Sequence, residues 1–237
     1  MRVVLLWMLA LMLPAGPGAA VCAQAWQRPH ADVASDDQPV RRIATAGYKL
    51  SIIWQPEACH ARPTEASRPG PRATECANPR AARGFTLHGL WPDGADAKLW
   101  PQYCRPVPIL TDAEIRAGIA ATPSAQLLQH EWAKHGSCMS DSASRYFAEE
   151  ARLYAGIRMP DMAALAARRG VRAGEVQEAF ARANPGMTAD MLRLDVNRRG
   201  WLQEVWFCLG LDKRPRRCPA GQAGAEREAV VRIQRPG

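Results

Sequence analysis

Apolar positions change period partway along the chain. Residues 48–54, Tyr-Lys-Leu-Ser-Ile-Ile-Trp, alternate and are rich in β-formers, which predicts a strand broken at Pro56. Residues 84–90 form a second strand-like segment, closed by the turn signal Trp91-Pro92-Asp93-Gly94. Between them, residues 59–84 are crowded with Pro, Arg and Ala and carry no period, so they predict a loop. Beyond Cys104 the spacing turns helical. Thr111-Asp112-Ala113-Glu114 reads as a capping box. Ser124 can cap a helix that runs through Leu127, Leu128 and Trp132 to a stop near Gly136. Residues 142–157 predict a third helix, with Tyr146, Phe147, Leu153 and Tyr154 as its apolar stripe, and two short helices follow around 159–169 and 173–183. Alternation returns at 191–196 and 202–209, on either side of the turn Asn197-Arg198-Arg199-Gly200, and 229–233 reads as a last strand. No internal repeat or linker divides two cores. The prediction is one α+β domain over residues 47–237.

The start of the chain stands outside that domain. Arg2, an apolar run over 3–13, a Pro/Gly breaker and the small residues ending Ala23-Gln24-Ala25 predict a secretory signal peptide over 1–25, cut after Ala25 or alternatively Ala23. The run is too short for a membrane span, which needs about 20 apolar residues. Residues 26–46 are polar and mixed and read as a loose N-terminal extension.

Cysteine content and charge sharpen the picture. Of seven cysteines, Cys22 leaves with the leader, so Cys59, Cys76, Cys104, Cys138, Cys208 and Cys218 remain. An even number in an exported chain implies disulfides, and six thiols allow about 15 pairings that spacing cannot choose among. Cys208 and Cys218 could close a local loop, and a Cys59–Cys76 bridge could tie the Pro-rich one. No Cys-x-x-Cys pair starts a zinc site. Lys and Arg outnumber Asp and Glu by 31 to 23; without Arg2 the exported chain carries 30 − 23 = +7. Such a protein is attracted to polyanions, which permits a nucleic-acid substrate without establishing one. No Asn-x-Ser/Thr site occurs, so the expected location is exported, periplasmic or secreted, with the periplasm favoured.

Two segments hold three of the five histidines: His88-Gly89-Leu90-Trp91-Pro92 and His130-Glu131-Trp132-Ala133-Lys134-His135-Gly136-Ser137-Cys138. On an ideal helix His130, Glu131, Lys134 and His135 lie within about 140° of the circumference, while Trp132 and Ala133 turn towards the core. One stripe therefore offers two imidazoles, a carboxylate and an ammonium. The histidines are five apart rather than four, which spreads them too far for the His-Glu-x-x-His zinc motif, so no metal and no cofactor are expected. His88 ends a strand beside a glycine that allows close backbone approach, and Trp91 offers a flat face to a base. His30 and His60 fall in loops and receive no functional reading. Two separated imidazoles plus fixed cations can break a phosphodiester without a metal, because imidazole exchanges protons near neutrality.

This pair of segments resembles the two active-site signatures of the T2 ribonuclease family, roughly HGLWP and HEWxKHGTC, with Ser137 in place of Thr as the one clear motif departure. The likeness runs from the strand at Tyr48 to the Cys208–Cys218 loop. It implies a secreted, metal-independent endoribonuclease with little base preference. It implies a central antiparallel sheet with helices on one side, and three disulfides, Cys59–Cys76, Cys104–Cys138 and Cys208–Cys218. His135 resembles the general base that takes the ribose 2′-hydroxyl proton, and His88 the general acid that protonates the leaving 5′-oxygen. His130, Glu131 and Lys134 resemble the groups that hold the phosphate, and Trp91 and Asp93 fall where relatives bind the first base. Leu99 stands where some relatives carry an aromatic, so base selectivity stays open. The expected partner is single-stranded RNA bound by a monomer. DNA, lacking the 2′-hydroxyl, would not be cut. The rival reading is a non-catalytic basic exported protein that binds RNA or a partner on the same scaffold.

Overall fold

In the computed structural model, residues 26–60, 76 and 83–236 are described; the expected signal peptide lies outside them. Strands β1 (Gly47–Trp54), β2 (Phe85–Asp93), β3 (Leu192–Val196) and β4 (Leu202–Leu209) form one antiparallel sheet in the order β2-β1-β4-β3. Helix α1 (Gln55–His60) follows β1 directly. Helices α2 (Asp112–Gly118), α3 (Ala125–Lys134), α4 (Ala143–Ala155), α5 (Met162–Ala167) and α6 (Ala173–Ala183) occupy the chain between β2 and β3.

Strand alternation gives the sheet two unlike faces. Leu50, Ile52, Leu87, Leu90, Leu194, Val205 and Phe207 point into a core shared with Leu128, Trp132, Phe147 and Phe180 of the helices. The intervening positions of β1 and β4 carry Lys49, Ser51, Glu204 and Trp206, a polar row on the opposite face. The three disulfides are Cys59–Cys76, Cys104–Cys138 and Cys208–Cys218.

Local chemistry accounts for most boundaries. Thr111 and Glu114 form the expected capping box at the start of α2. The Ser124 hydroxyl accepts the Leu127 N–H at the start of α3. Three expectations need correction. The Trp91-Pro92-Asp93 sequence does not turn: β2 runs on to Asp93, with Pro92 opposite Tyr48. That is tolerated because β2 is an edge strand, where a missing N–H costs least. Residues 55–60 are helical, so Pro56 does not simply break the chain and residues 59 and 60 are not loop; a proline early in a helix removes only a donor that has no partner there. Residues 229–233 form no strand; they contribute only isolated bridges, Val230 to Arg172 and Arg232 to Trp201.

Residues 26–46, read as a loose extension, contain no helix or strand yet are fastened to α3 and to the segment between β2 and α2. Arg41 makes a two-way backbone bridge with Gln102, His30 N–H donates to the Gln126 side chain, and Trp26 packs on the core beneath Arg116.

Candidate active site

His88 owes its position to an irregularity in the sheet. Ser51 pairs with Gly89 and the next residue, Ile52, with Leu87, so His88 is the extra residue of a β-bulge. A bulge shifts side-chain parity by one. Leu87 and Leu90 can therefore both face the core while His88 turns to the polar face. There its Nδ1 lies 2.9 Å from Glu204 Oε1, on β4. Its Nε2 lies 3.4 Å from Glu131 Oε1, on α3. The imidazole is thus held between two carboxylates.

Glu204 is itself fixed by donors. Ser51 Oγ and Trp206 Nε1 each donate to Oε2 at 2.7 Å. Burial pushes this carboxyl upward, but the nearby His88 charge and the hydrogen bonds from His88, Trp206 and Ser51 outweigh it and hold the pKa down at about 2. Across the strand pair, Asp195 is raised to about 6 by burial and by the Glu204 charge.

Helix α3 brings the second motif to the same place. Trp132 and Ala133 are buried and anchor it. Glu131 also points inward: its side chain is 1 % exposed, and its Oε2 accepts the Trp91 indole N–H at 2.6 Å. Its Oε1 finds no hydrogen-bond partner among the described residues, so the contact with His88 is an ion-pair approach rather than a hydrogen bond. Burial drives the Glu131 pKa upward against the pull of His88, His130, Trp91 and Lys134. Close approach requires Gly89, because a Cβ there would sit 2.1 Å from Glu131 Oε2.

His135 stands past the last helical residue, as the C-cap, with φ −108°. Gly136 lets the chain turn closely there; a Cβ would fall 2.4 Å from Trp132. Ser137 secures the turn, since its hydroxyl donates to Ala133 O at 2.7 Å and accepts the Cys104 N–H at 3.1 Å, next to the Cys104–Cys138 bridge. The His135 ring is buried and stacks on Trp91, with centroids 5.4 Å apart. Its Nδ1 has no hydrogen-bond partner among the described residues. Burial, together with the charges of Lys134, His130, His88 and Lys49, depresses its pKa well below that of ordinary histidine. This setting favours the neutral form of the imidazole.

The structure brings His88, Trp91, Glu131 and His135 together: the Trp91 ring touches both imidazoles, His88 edge-on at 4.9 Å. Lys134 is half-buried, and desolvation lowers its pKa while Glu131 and Asp32 raise it. His130, one turn back, pairs through Nδ1 with Asp32 of the N-terminal segment at 2.9 Å. Asp93 is buried and joined to Lys49 at 3.3 Å, and that ammonium lies over the Trp91 and Trp206 rings. Sequence reasoning missed Lys49, Ser51, Glu204, Trp206 and Asp32. The first four carried a signal, because polar residues alternate with core residues on β1 and β4. Asp32, distant in sequence and in a segment without period, carried none.

The antiparallel sheet and its packed helices share the fold of solved ribonuclease-type structures. A ribonuclease-related protein from Calystegia sepium matches with a TM-score of 0.58 at 19 % identity, over 83 % of this chain and 100 % of that one. RNase NT, solved with 5′-AMP, matches with a TM-score of 0.56 at 20 % identity, over 80 % and 98 %. The chain belongs to the Ribonuclease T2 family, whose profile matches residues 46–218. A probable ribonuclease of Haemophilus influenzae is 35 % identical over 120 residues, which cover 48 % of this chain and 44 % of that protein, less than half its length. A ribonuclease of Aeromonas hydrophila is 29 % identical over 178 residues, covering 68 % and 70 %. Among the described residues, no helix is long and apolar enough to cross a membrane.

Proposed function

We propose that this protein is an exported endoribonuclease that cleaves single-stranded RNA without a metal, using two histidines as acid and base. The observation that carries the reading is the meeting of His88 and His135 on one indole, in opposite electrostatic settings. His135, neutral and buried, takes the proton of the ribose 2′-hydroxyl. The freed oxygen attacks the adjacent phosphorus, the bond from phosphorus to the 5′-oxygen breaks, and His88 gives its proton to the leaving oxygen. The product is a 2′,3′-cyclic phosphate. Water then opens it to a 3′-phosphate with the two roles exchanged. Holding the 2′-hydroxyl in line supplies a large part of the rate, and each proton transfer contributes about 10²–10⁴-fold. Lys134, His130 and the Glu131 site hold the phosphate and stabilise its developing charge. Trp91 and Asp93 contribute to the first base site, with Lys49 bridging the two. Residues 1–25 act as the export signal, the mature chain works as a monomer, and DNA is not cut.

Incubation of the purified protein with yeast RNA, with and without excess EDTA, tests this. Cleavage that persists in EDTA and passes through cyclic phosphates is expected. Loss of activity restored by zinc would favour a metal hydrolase, and an inert protein that still binds RNA would favour the non-catalytic rival.

A further inference from the structure

The site contains a residue from outside the family-matched stretch. Asp32 lies fourteen residues before residue 46, where the match begins. Its two oxygens are divided between two partners: Oδ2 lies 2.9 Å from His130 Nδ1, and Oδ1 accepts the Tyr103 hydroxyl at 2.7 Å. Tyr103 is held for this task. It is buried, its backbone takes a left-handed φ of 49° that non-glycine residues rarely adopt, and its N–H donates to the Lys134 carbonyl at the end of α3. The segment bearing Asp32 is fixed on both sides, by His30 to Gln126 and by Arg41 and Arg42 to Gln102 and Cys104. His130 also acts electrostatically on Glu131 beside it and on His135 at the helix end, and Lys134 stands one turn along α3.

We infer that Asp32 is a positioning residue for the phosphate site: it accepts the His130 Nδ1–H, fixes the ring, and turns the edge bearing Nε2 towards the RNA phosphate, to which the imidazolium form donates its Nε2–H. This rests on the reading of His130 as a phosphate holder. A carboxylate behind an imidazole keeps one proton on Nδ1 and stops ring rotation, so that the second proton of the imidazolium sits on Nε2, and a charge-assisted hydrogen bond does so more strongly than a neutral one. The cost of an anion near a phosphate is offset because the carboxylate is tied to Tyr103 and His130 and faces away from the free nitrogen.

The test compares the full exported chain with Asp32→Ala, Asp32→Asn and His130→Ala, and with the Asp32→Ala/His130→Ala double variant. Affinity for inorganic phosphate is titrated, kcat/KM is measured on a dinucleotide, and the His130 tautomer is read by ¹⁵N NMR. Asp32→Ala is expected to weaken phosphate binding and lower kcat/KM by about tenfold, with tautomer exchange at His130. It should cost nothing further once His130 is alanine. Asp32→Asn, whose amide oxygen still accepts Nδ1–H, should lose less, and it serves if the alanine variant folds poorly. Unchanged affinity and tautomer, an equal loss in the His130→Ala background, or a gain on removing Asp32 would each overturn the inference. Should the protein not cleave RNA at all, the nuclease reading fails while the phosphate titration and the tautomer still decide the role of Asp32.

Discussion

The two imidazoles at this site live in opposite surroundings. His88, on the β2 bulge, is part-exposed at 17 % and faces carboxylates at both ring nitrogens. His135, at the end of α3, is buried, faces cations, and has an Nδ1 without a hydrogen-bond partner among the described residues. Neither environment follows from residue type, since both are histidines in short motifs of similar polarity. The difference comes from which element packs against each ring: β4 brings Glu204 to one, and the C-terminal turn of α3 removes water from the other. An anion beside an imidazole favours its proton and burial among cations disfavours it. The same side chain thus meets anions on the sheet and cations at the helix end, the contrast on which the proposed acid and base roles rest.

The sharpest way to break that contrast is to delete either ring. His88→Ala or His135→Ala should lower kcat on RNA by about 10³-fold with the circular dichroism spectrum unchanged; near-normal turnover in either variant ends the assignment. With His135 depressed below the ordinary histidine value, the acid limb of the kcat/KM profile should lie below about pH 6.5. A rate that climbs steadily into alkaline pH contradicts it.

Next in size is the contact that joins the two regions. Gly89→Ala drives a methyl into Glu131 Oε2, so the carboxylate must leave its place between His88 and Trp91. Loss of about 1–3 kcal/mol in unfolding free energy and a fall in kcat well beyond what that stability loss explains are expected. Wild-type kcat in this variant would show that Glu131 need not sit there.

The smallest effect tests the partner of His88. Glu204→Gln should lower kcat about tenfold, because the anion that holds the His88 ring is gone. Stability gives an independent readout. Glu204, held at about 2 in the folded chain against 4.5 ordinarily, contributes stability that is full above pH 4.5 and lost as the pH falls towards 2. The thermal midpoint of Glu204→Gln should therefore decline less steeply over that range, and parallel curves would remove Glu204 from the account.

Much of this was readable in the chain itself. The period-2 runs at β1, β3 and β4 and the caps at Thr111 and Ser124 are local, so they appeared without tertiary information. The stripe on α3 appeared too, but its sense was incomplete. Periodicity put Glu131 beside His130 and Lys134, yet Glu131 is buried against Trp91 while the other two stay part-exposed. The turn expected at Pro92 failed because edge-strand placement, a non-local fact, decides whether proline ends a strand. The paired motifs were legible because one family keeps its chemistry in contiguous residues. Glu204 and Asp32 were not, because each reaches its histidine only after about a hundred residues or more of intervening chain have folded.

Sequence alone determined that two histidine-bearing segments exist, that one rides a helix and the other a strand, and that six cysteines accompany them. Tertiary structure alone decided that His88 turns outward at a bulge, that Glu204 and Asp32 stand behind their respective imidazoles, and that His135 is dry. The physical reason is that helix and strand patterns are set by neighbours a few residues away. Protonation and ring orientation are set instead by whatever charge and solvent the finished fold leaves within a few ångströms.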